Sequence, residues 1–394
     1  METAMPTFDL PPDELTRLSK AKGFDLAGIA ALEAAEGQGS DDTGQYDNLG
    51  QYPGADPGQY LEQWIAAGHA GEMDYLKRRN EQGALLRSEV RAAIPWARSV
   101  IVCAANYNAP GPLSVDPAPP ATGWIARYAW EGRRDASTGE LRPSDYHDTL
   151  LARLRSLESA LHQRIGNDFE SRSYVDTGPL IERDLARRAG IGWTAKNTCT
   201  LNEQLGSWLF LCCIVTSLEV APAALPLPAA DRCGTCRRCI EACPTEALIA
   251  PRRMDASRCI AYLTIEKRGP IAEELRVPMG RQVFGCDICQ DVCPWNQKAS
   301  RPPSAAPDLT RRELINPALA WLADLSLEEF NRQFRGSPIK RTKRSGFLRN
   351  VAIAIGNSGE RDFLPQLKAW ADAESDDPVL AEAAAWAIKR LTES

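Results

Sequence analysis

Eight of the twelve cysteines in this chain lie between Cys233 and Pro294, seven of them in two dense runs. The first reads Cys233-Gly-Thr-Cys236-Arg-Arg-Cys239-Ile-Glu-Ala-Cys243-Pro244, the second Cys286-Asp-Ile-Cys289-Gln-Asp-Val-Cys293-Pro294. The first run has the C-x2-C-x2-C-x3-C-P spacing, which wraps three thiolates around one [4Fe–4S] cubane and sends the fourth to a second cluster. The second run lacks its first cysteine, and Val283 stands at that position. Cys259 lies between the runs and can supply the absent thiolate. Cys233, Cys236, Cys239 and Cys293 then hold one cluster, and Cys243, Cys259, Cys286 and Cys289 the other. A pair of zinc sites or a disulfide framework is the competing reading, but zinc ribbons rarely carry this run. The chemistry expected here is one-electron transfer.

Clusters move electrons and seldom transform a substrate, so a reacting site is expected elsewhere. Asp176 is the candidate acid. It ends an apolar stretch, Ser173-Tyr-Val, just before Gly178-Pro179, where α/β domains place exposed functional side chains. The plainer reading makes it the N-cap of a helix starting near Pro179. Lys196 and Asn197 sit in a glycine-punctuated loop and can bind an anionic group. Arg127, Tyr128, Tyr146 and His147 form a polar-aromatic set that also reads as structural. Cys103, Cys199, Cys212 and Cys213 lie in or near apolar runs and read as small buried hydrophobes. The window 331–350 holds seven basic residues and no acidic one, in a chain whose net charge is −6. That contrast favours a phosphate-backbone contact over a merely solvated face. Phe334 and Phe347, within it, read as core.

Several elements must position these residues. A chain of 394 residues, 44% hydrophobic and 25% charged, is long enough for two or three domains with full cores. Up to about residue 220, helices alternate with strands, which argues an α/β (α+β) domain. A helix and the strand Leu26–Ala30 open it, with a further helix expected by residue 35. Positions 37–60 read as a loop. Ser99–Ala105 and Ser207–Val215 read as buried strands, and 148–165 as an amphipathic helix with Leu150, Leu154, Leu157 and Leu161 on one face. Between them 131–144 reads as a polar, hairpin-like insert. A proline-rich linker follows at 221–231, then a ferredoxin-like cluster domain to about residue 300. The rest, 301–394, is a helical array in which Val351–Ile355 and Ala384–Ile388 recur about 33 positions apart. No secretory signal, twin arginine or membrane-length apolar run is read in the sequence. The expectation is therefore a cytoplasmic monomer without a membrane partner, in which clustered thiols mean metal.

Taken together, these motifs resemble those of the epoxyqueuosine reductase family. The resemblance rests on Ile125-Ala-Arg-Tyr-Ala-Trp130, Asp145-Tyr-His147, Val175-Asp-Thr-Gly-Pro-Leu180, Gly192-Trp-Thr-Ala-Lys-Asn-Thr198, Gly206-Ser-Trp208, both cysteine runs, Arg258-Cys-Ile260, Gly336-Ser-Pro-Ile-Lys340 and Leu348-Arg-Asn350. It implies reduction of epoxyqueuosine to queuosine at the wobble position of tRNA. Electrons would come from an unidentified donor and pass from two [4Fe–4S] clusters to cobalamin. Asp176 would donate the proton, a role that a raised pKa would favour. Arg127, Tyr128, His147, Lys196, Asn197 and Ser207 would line the corrinoid and substrate pocket. Lys340, Arg341, Lys343, Arg344 and Arg349 would grip the RNA from HEAT-like C-terminal repeats. The resemblance thus implies a cobalamin-binding domain over 1–220, a cluster domain over 221–300 and a tRNA-binding helical domain over 301–394. The chain departs from the family pattern in its inserts, at Ala195 and at Cys212-Cys213. Two other functions compete: a dehalogenase-like corrinoid enzyme for a small molecule, and an iron–sulfur electron carrier. The basic window argues against the first, and the long α/β domain against the second.

Overall fold

The computed structural model describes residues 7–8, 10–32, 56–221, 224–299, 309–372 and 376–393. The helix expected by residue 35, and the expected loop up to position 55, lie outside them. The N-terminal part is built on four strands: β1 (Leu26–Ala31), β2 (Ser99–Asn106), β3 (Ser171–Tyr174) and β4 (Leu209–Thr216). Their order is β1-β2-β4-β3, and every pairing is antiparallel, with Ile29 opposite Ile101, Cys212 opposite Cys103 and Ser173 opposite Ile214. The alternation of helix and strand does not produce parallel crossovers here, so the α+β form of the expectation describes this sheet.

Both faces of the sheet are covered, which is why β2 reads as a continuous apolar run and is buried along its whole length. On one face lies α1 (Tyr146–Ile165), with Leu150, Leu154, Leu157 and Leu161 packed against Ile101, Cys103 and Cys212. On the other lies α2 (Glu182–Arg188), with Leu185 and Ala186 against Val100, Val102, Cys213 and Val215. Each fully buried leucine or valine contributes about 1.5–3 kcal/mol. At Gly28, on β1, a Cβ would run into the carbonyl of Ala189, so glycine lets the end of α2 close onto the sheet. The predicted insert is a hairpin of Gly132–Arg134 against Leu141–Pro143.

A second core joins the cluster segment to the C-terminal helices. It runs from Ile260 through Val283, Phe330 and Phe347 to Leu391, and takes in Ile125, Ala129 and Trp130 from the N-terminal part. Apolar packing therefore continues across position 300. Val283 has no exposed surface and lies on the strand Gln282–Phe284, paired with Trp124–Ile125. That position belongs to the core and not to a ligand loop, and this accounts for the cysteine missing from the second run. The long helices α3 (Lys343–Ser358) and α4 (Pro378–Glu393) pack together, with Gly356 against Trp386 and Ala387. The two similar segments Val351–Ile355 and Ala384–Ile388 fall on this helix pair.

Candidate active site

Asp176 follows β3 by two residues, in a left-handed backbone conformation with φ of 56°, uncommon for a residue with a Cβ. The helix after it starts only at Glu182, with Ile181 at the cap position, so Asp176 caps nothing. Its carboxylate accepts a hydrogen bond from Tyr146 Oη at 2.9 Å and stands 3.6 Å from His147 Nε2. Its backbone N–H donates to Glu182 Oε1 at 3.1 Å.

His147 is fixed by its own helix start. Asp145 caps α1 by accepting from the His147 N–H at 3.1 Å. The same Asp145 oxygen lies 2.8 Å from His147 Nδ1. Tyr146 is clamped by stacking on Phe210, with ring centroids 4.2 Å apart, and by an edge contact to Tyr128 at 5.9 Å. One sequence motif, Asp145-Tyr-His147, thus supplies both groups that touch the Asp176 carboxylate.

The charges at this site differ from the expectation of a raised acid. The His147 hydrogen bond holds Asp176 below the usual carboxylate range and outweighs burial, with help from Tyr146 and Arg341. Burial alone would lower the His147 pKa, but its bonds to Asp145 and Asp176 raise it. Between the two groups, the proton is therefore held on the imidazole side. Glu182 behaves in the opposite way. Burial, and then the negative charge of Asp176, push its carboxyl up to about 8. Asp176 and Glu182 share a cleft of about 360 Å³. Its walls include Leu61 and Trp64 from Pro57–Ala66, Leu180 and Ile181 before α2, and Arg252 and Met254 from the cluster segment.

Four of the predicted ligand cysteines share one cavity. Cys233, Cys236, Cys239 and Cys293 surround one small cavity with Ala195, Leu201 and Trp295. Burial pushes Cys239 up to about 12, and the charges of Cys233, Cys293 and Cys236 add to it. Such a group of thiols becomes thiolates only beside a strong positive charge. Trp193 Nε1 donates to Cys233 Sγ at 3.4 Å. Cys286 is held up chiefly by burial, with charge contributions from Cys259 and Cys243, and Cys289 feels Cys286 and Cys259. Cys259 is thus near enough to act on both Cys286 and Cys289. Among the described residues no three His, Cys, Asp or Glu side chains converge on one ion; the thiols stand around a volume.

Lys196, Asn197 and Ser207 were expected in the corrinoid pocket, but the structure places them against the cluster loops. Lys196 Nζ is buried and donates to the carbonyls of Gly234 and Cys236, the latter at 3.0 Å. Asn197 Nδ2 donates to the Cys289 carbonyl at 3.2 Å. Ser207 Oγ accepts from Gln290 Nε2 at 3.1 Å and Asn296 Nδ2 at 2.9 Å. Arg127 is buried between the rings of Trp130 and Trp208, at 5.0 and 4.6 Å, and its N–H donates to Asp287 at 2.7 Å. Its Nε and Asp291 Oδ1 have no hydrogen-bond partner. Arg127 and Tyr128 line a separate, smaller cavity with Phe210 and Arg153. Of the residues predicted to carry chemistry, Asp176 alone lines the large cleft.

The basic window divides. Lys340 and Lys343 are exposed, and Arg341 and Arg344 half-buried. Arg341 turns inward onto His147, with Nη2 2.6 Å from Nδ1. Arg349 corrects the expectation: it is 1% exposed and donates to the carbonyls of Leu263, Lys267 and Gly269 at 2.7–2.8 Å. A fully bonded core cation has no surface to offer RNA. Phe334 and Phe347 are core, as read.

Two residues were given no role from the sequence. Glu182 offered only its place in the first turn of a helix. Cys199 read as a buried hydrophobe, yet its thiol lies within hydrogen-bond reach of Cys289.

Residues 232–296 match the family described as "4Fe-4S double cluster binding domain", and 87–177 match "Epoxyqueuosine reductase QueG, DUF1730". An epoxyqueuosine reductase of Xanthomonas campestris is 34% identical, with 96% of each chain covered. A solved epoxyqueuosine reductase in complex with an epoxyqueuosine-modified tRNA-Tyr stem loop superposes with a TM-score of 0.76 and 27% identity over 96% of this chain and 89% of that one. Another, from Bacillus subtilis, has the catalytic loop of an aspartate swung out of its active site; it gives a TM-score of 0.75 and 26% identity over 96% of this chain and 90% of that one. A relative this similar over nearly its whole length, with matching cluster and reductase segments, leaves one assignment: the chain belongs to the epoxyqueuosine reductase family.

Proposed function

We propose that this chain reduces epoxyqueuosine to queuosine at the wobble position of tRNA. The observation that carries the proposal is the cleft joining Asp176 to the cluster segment, with the carboxylate tied to a proton-bearing His147. Overall, two electrons and two protons convert the epoxide to an alkene and water. The relative solved with a modified tRNA stem loop supports RNA as the substrate.

The cleft also suits cobalamin. Leu61, Trp64, Leu180, Ile181 and Met254 offer apolar wall to a flat ring, and Arg87 and Arg183 offer cations to amide and phosphate groups. Cobalamin held there would supply a redox-active, nucleophilic metal centre. The chain's own residues do the rest. Lys196 and Asn197 fix the backbone of the cluster loops, and Trp193 hydrogen-bonds a ligating sulfur. Asp176 passes a proton from His147 to the departing oxygen. The left-handed Asp176 and its loop correspond in kind to the mobile catalytic loop of the Bacillus subtilis relative.

Lys340, Arg341, Lys343 and Arg344 take RNA phosphates, on a HEAT-like helical domain from about residue 301. Residues 1–220 form the cobalamin domain, 221–300 the cluster domain, and the protein works as a cytoplasmic monomer. No helix among the described residues is long and apolar enough to cross a membrane. Anaerobic reconstitution with iron, sulfide, cobalamin and a chemical reductant, followed by nucleoside analysis of epoxyqueuosine-containing tRNA, tests the reading. Queuosine should appear. Asp176→Ala should abolish it while iron and cobalamin content stay at the parent level, and an active Asp176→Ala protein overturns the role of Asp176.

A further inference from the structure

Releasing the epoxide oxygen as water requires two protons, and the His147–Asp176 pair holds one that can be transferred. We propose that Glu182 is the second proton carrier of this site, acting from beside Asp176 in the same cleft. The inference rests on the function proposed above.

The geometry is specific. Glu182 opens α2, and its side chain turns back so that Oε1 accepts the Asp176 N–H at 3.1 Å. It therefore holds the backbone of Asp176 while lining the same cleft. The cations nearest to it are engaged elsewhere: Arg87 donates to the Leu180 carbonyl at 3.3 Å and Arg183 to the Thr198 carbonyl at 2.6 Å. In the sheet, the buried thiols of Cys212 and Cys213, on opposite faces of β4, both feel the charge of Glu182. The charged groups acting on it are thus one carboxylate, Asp176, and two arginines that make no ion pair with it among the described residues.

Electrostatics agree with this placement. The pKa of Glu182 lies near 8 and that of Asp176 below its ordinary value. Two carboxyls driven apart by their surroundings form the pattern of a proton-loaded acid beside an ionised partner. The balance then closes. Two electrons arrive from the clusters, both carbon–oxygen bonds of the epoxide break and a carbon–carbon double bond forms. His147 supplies one proton through Asp176, Glu182 supplies the other, and the oxygen leaves as water. Both carriers recover their protons from solvent once the product has left.

Glu182→Gln tests this, because the amide oxygen still accepts the Asp176 N–H but carries no transferable proton. In single-turnover conversion by the fully reconstituted enzyme, Glu182→Gln should be slower by about 100-fold or more. The rate should lose the fall centred near pH 8 that is expected of the parent, with RNA affinity and iron content unchanged. Glu182→Asp should recover part of the rate. Infrared difference titration gives a readout without turnover: a protonated-carboxyl band should disappear near pH 8 in the parent and be missing from Glu182→Gln. A Glu182→Gln enzyme with the parent's rate and profile overturns the proposal. So does a slow enzyme that keeps both the alkaline fall and the infrared band, since Glu182 would then only hold the loop. If the parent converts no epoxyqueuosine, the functional reading fails, and the infrared titration still decides whether Glu182 carries a proton.

Discussion

Arg341 Nη2 lies 2.6 Å from Nδ1 and 2.9 Å from Nε2 of His147, so the basic C-terminal segment ends inside the active site. The guanidinium is also 3.8 Å from Asp145 Oδ2 and 5.8 Å from the centre of the Tyr146 ring. Its charge opposes protonation of His147 and favours ionised Asp176. The residue read from sequence as a phosphate contact therefore also acts on the proton network.

Arg341→Gln should have two effects. Loss of one phosphate-seeking cation should lower the salt dependence of RNA binding by a slope of about 0.7–0.9. Loss of the charge beside the imidazole should raise the His147 pKa further, which its ring resonances report in an NMR titration. Lys343→Gln removes an exposed cation that makes no contact with His147. It should change the salt slope and leave the titration in place. An Arg341→Gln protein with an unmoved His147 titration refutes the coupling.

The His147–Asp176 pair should leave a signature in stability against pH. The folded pKa of His147 is raised, so its contribution is complete below the unfolded value of about 6.5 and is lost as pH rises through the folded value. The folded pKa of Asp176 is depressed, so its contribution is complete above about 3.9 and is lost as pH falls through the folded value. Both are complete together between roughly pH 4 and 6.5. His147→Asn should cost most stability in that window and least above it. Asp176 is 57% exposed, so solvent screening keeps the effect modest. Thermal melts across the pH range, parent against variant, give the difference directly, and a uniform loss at all pH values would refute the assignment.

What could be read from the sequence divides along physical lines. The double-cluster segment was legible because three thiolates on one cubane require tight local spacing; Cys259 as the eighth ligand came from counting and stays a proposal. Asp176 was legible because it follows a strand and precedes Gly178-Pro179. Tyr146 and His147 were legible only as company for each other; their meeting with Asp176, 30 residues away for Tyr146, depends on α1 and β3 packing together. The partners of Lys196, Asn197 and Ser207 could not be read because they are carbonyls and amides 38 to 92 residues distant, which no local pattern encodes. The antiparallel order of the sheet escaped for a related reason: alternation of helices and strands does not set the direction of pairing.

Cys259, the proposed fourth ligand of the second cluster, lies outside both runs but near enough to act on Cys286 and Cys289. Cys259→Ser should therefore remove one cluster and spare the other, because Cys233, Cys236, Cys239 and Cys293 form their own cavity. Iron content should fall from about eight to about four per chain, with the spectrum of one remaining [4Fe–4S] centre. Val283→Cys should not rescue it, since that side chain is buried in the core on a strand. Full iron content in Cys259→Ser would show that Cys199, whose thiol meets Cys289, takes over as ligand.

Arg349 separates stability from RNA binding within the basic window. Its guanidinium ties the carbonyls of Leu263, Lys267 and Gly269 to α3, and it also donates to Asn350 Oδ1 at 2.8 Å. Burial lowers its pKa to about 10, still far above neutral, so it is a charged core residue satisfied by backbone dipoles. Arg349→Ala leaves several buried carbonyls unpaired and a cavity beside the cluster segment. Breaking a buried, bonded charge site of this kind costs about 3–5 kcal/mol. The melting temperature should drop by several degrees or more, while the protein that remains folded should bind RNA with the parent's affinity and salt slope. Lys340→Ala should do the reverse, because Lys340 is exposed. A stable Arg349→Ala protein with weakened, less salt-dependent RNA binding would return Arg349 to the RNA surface.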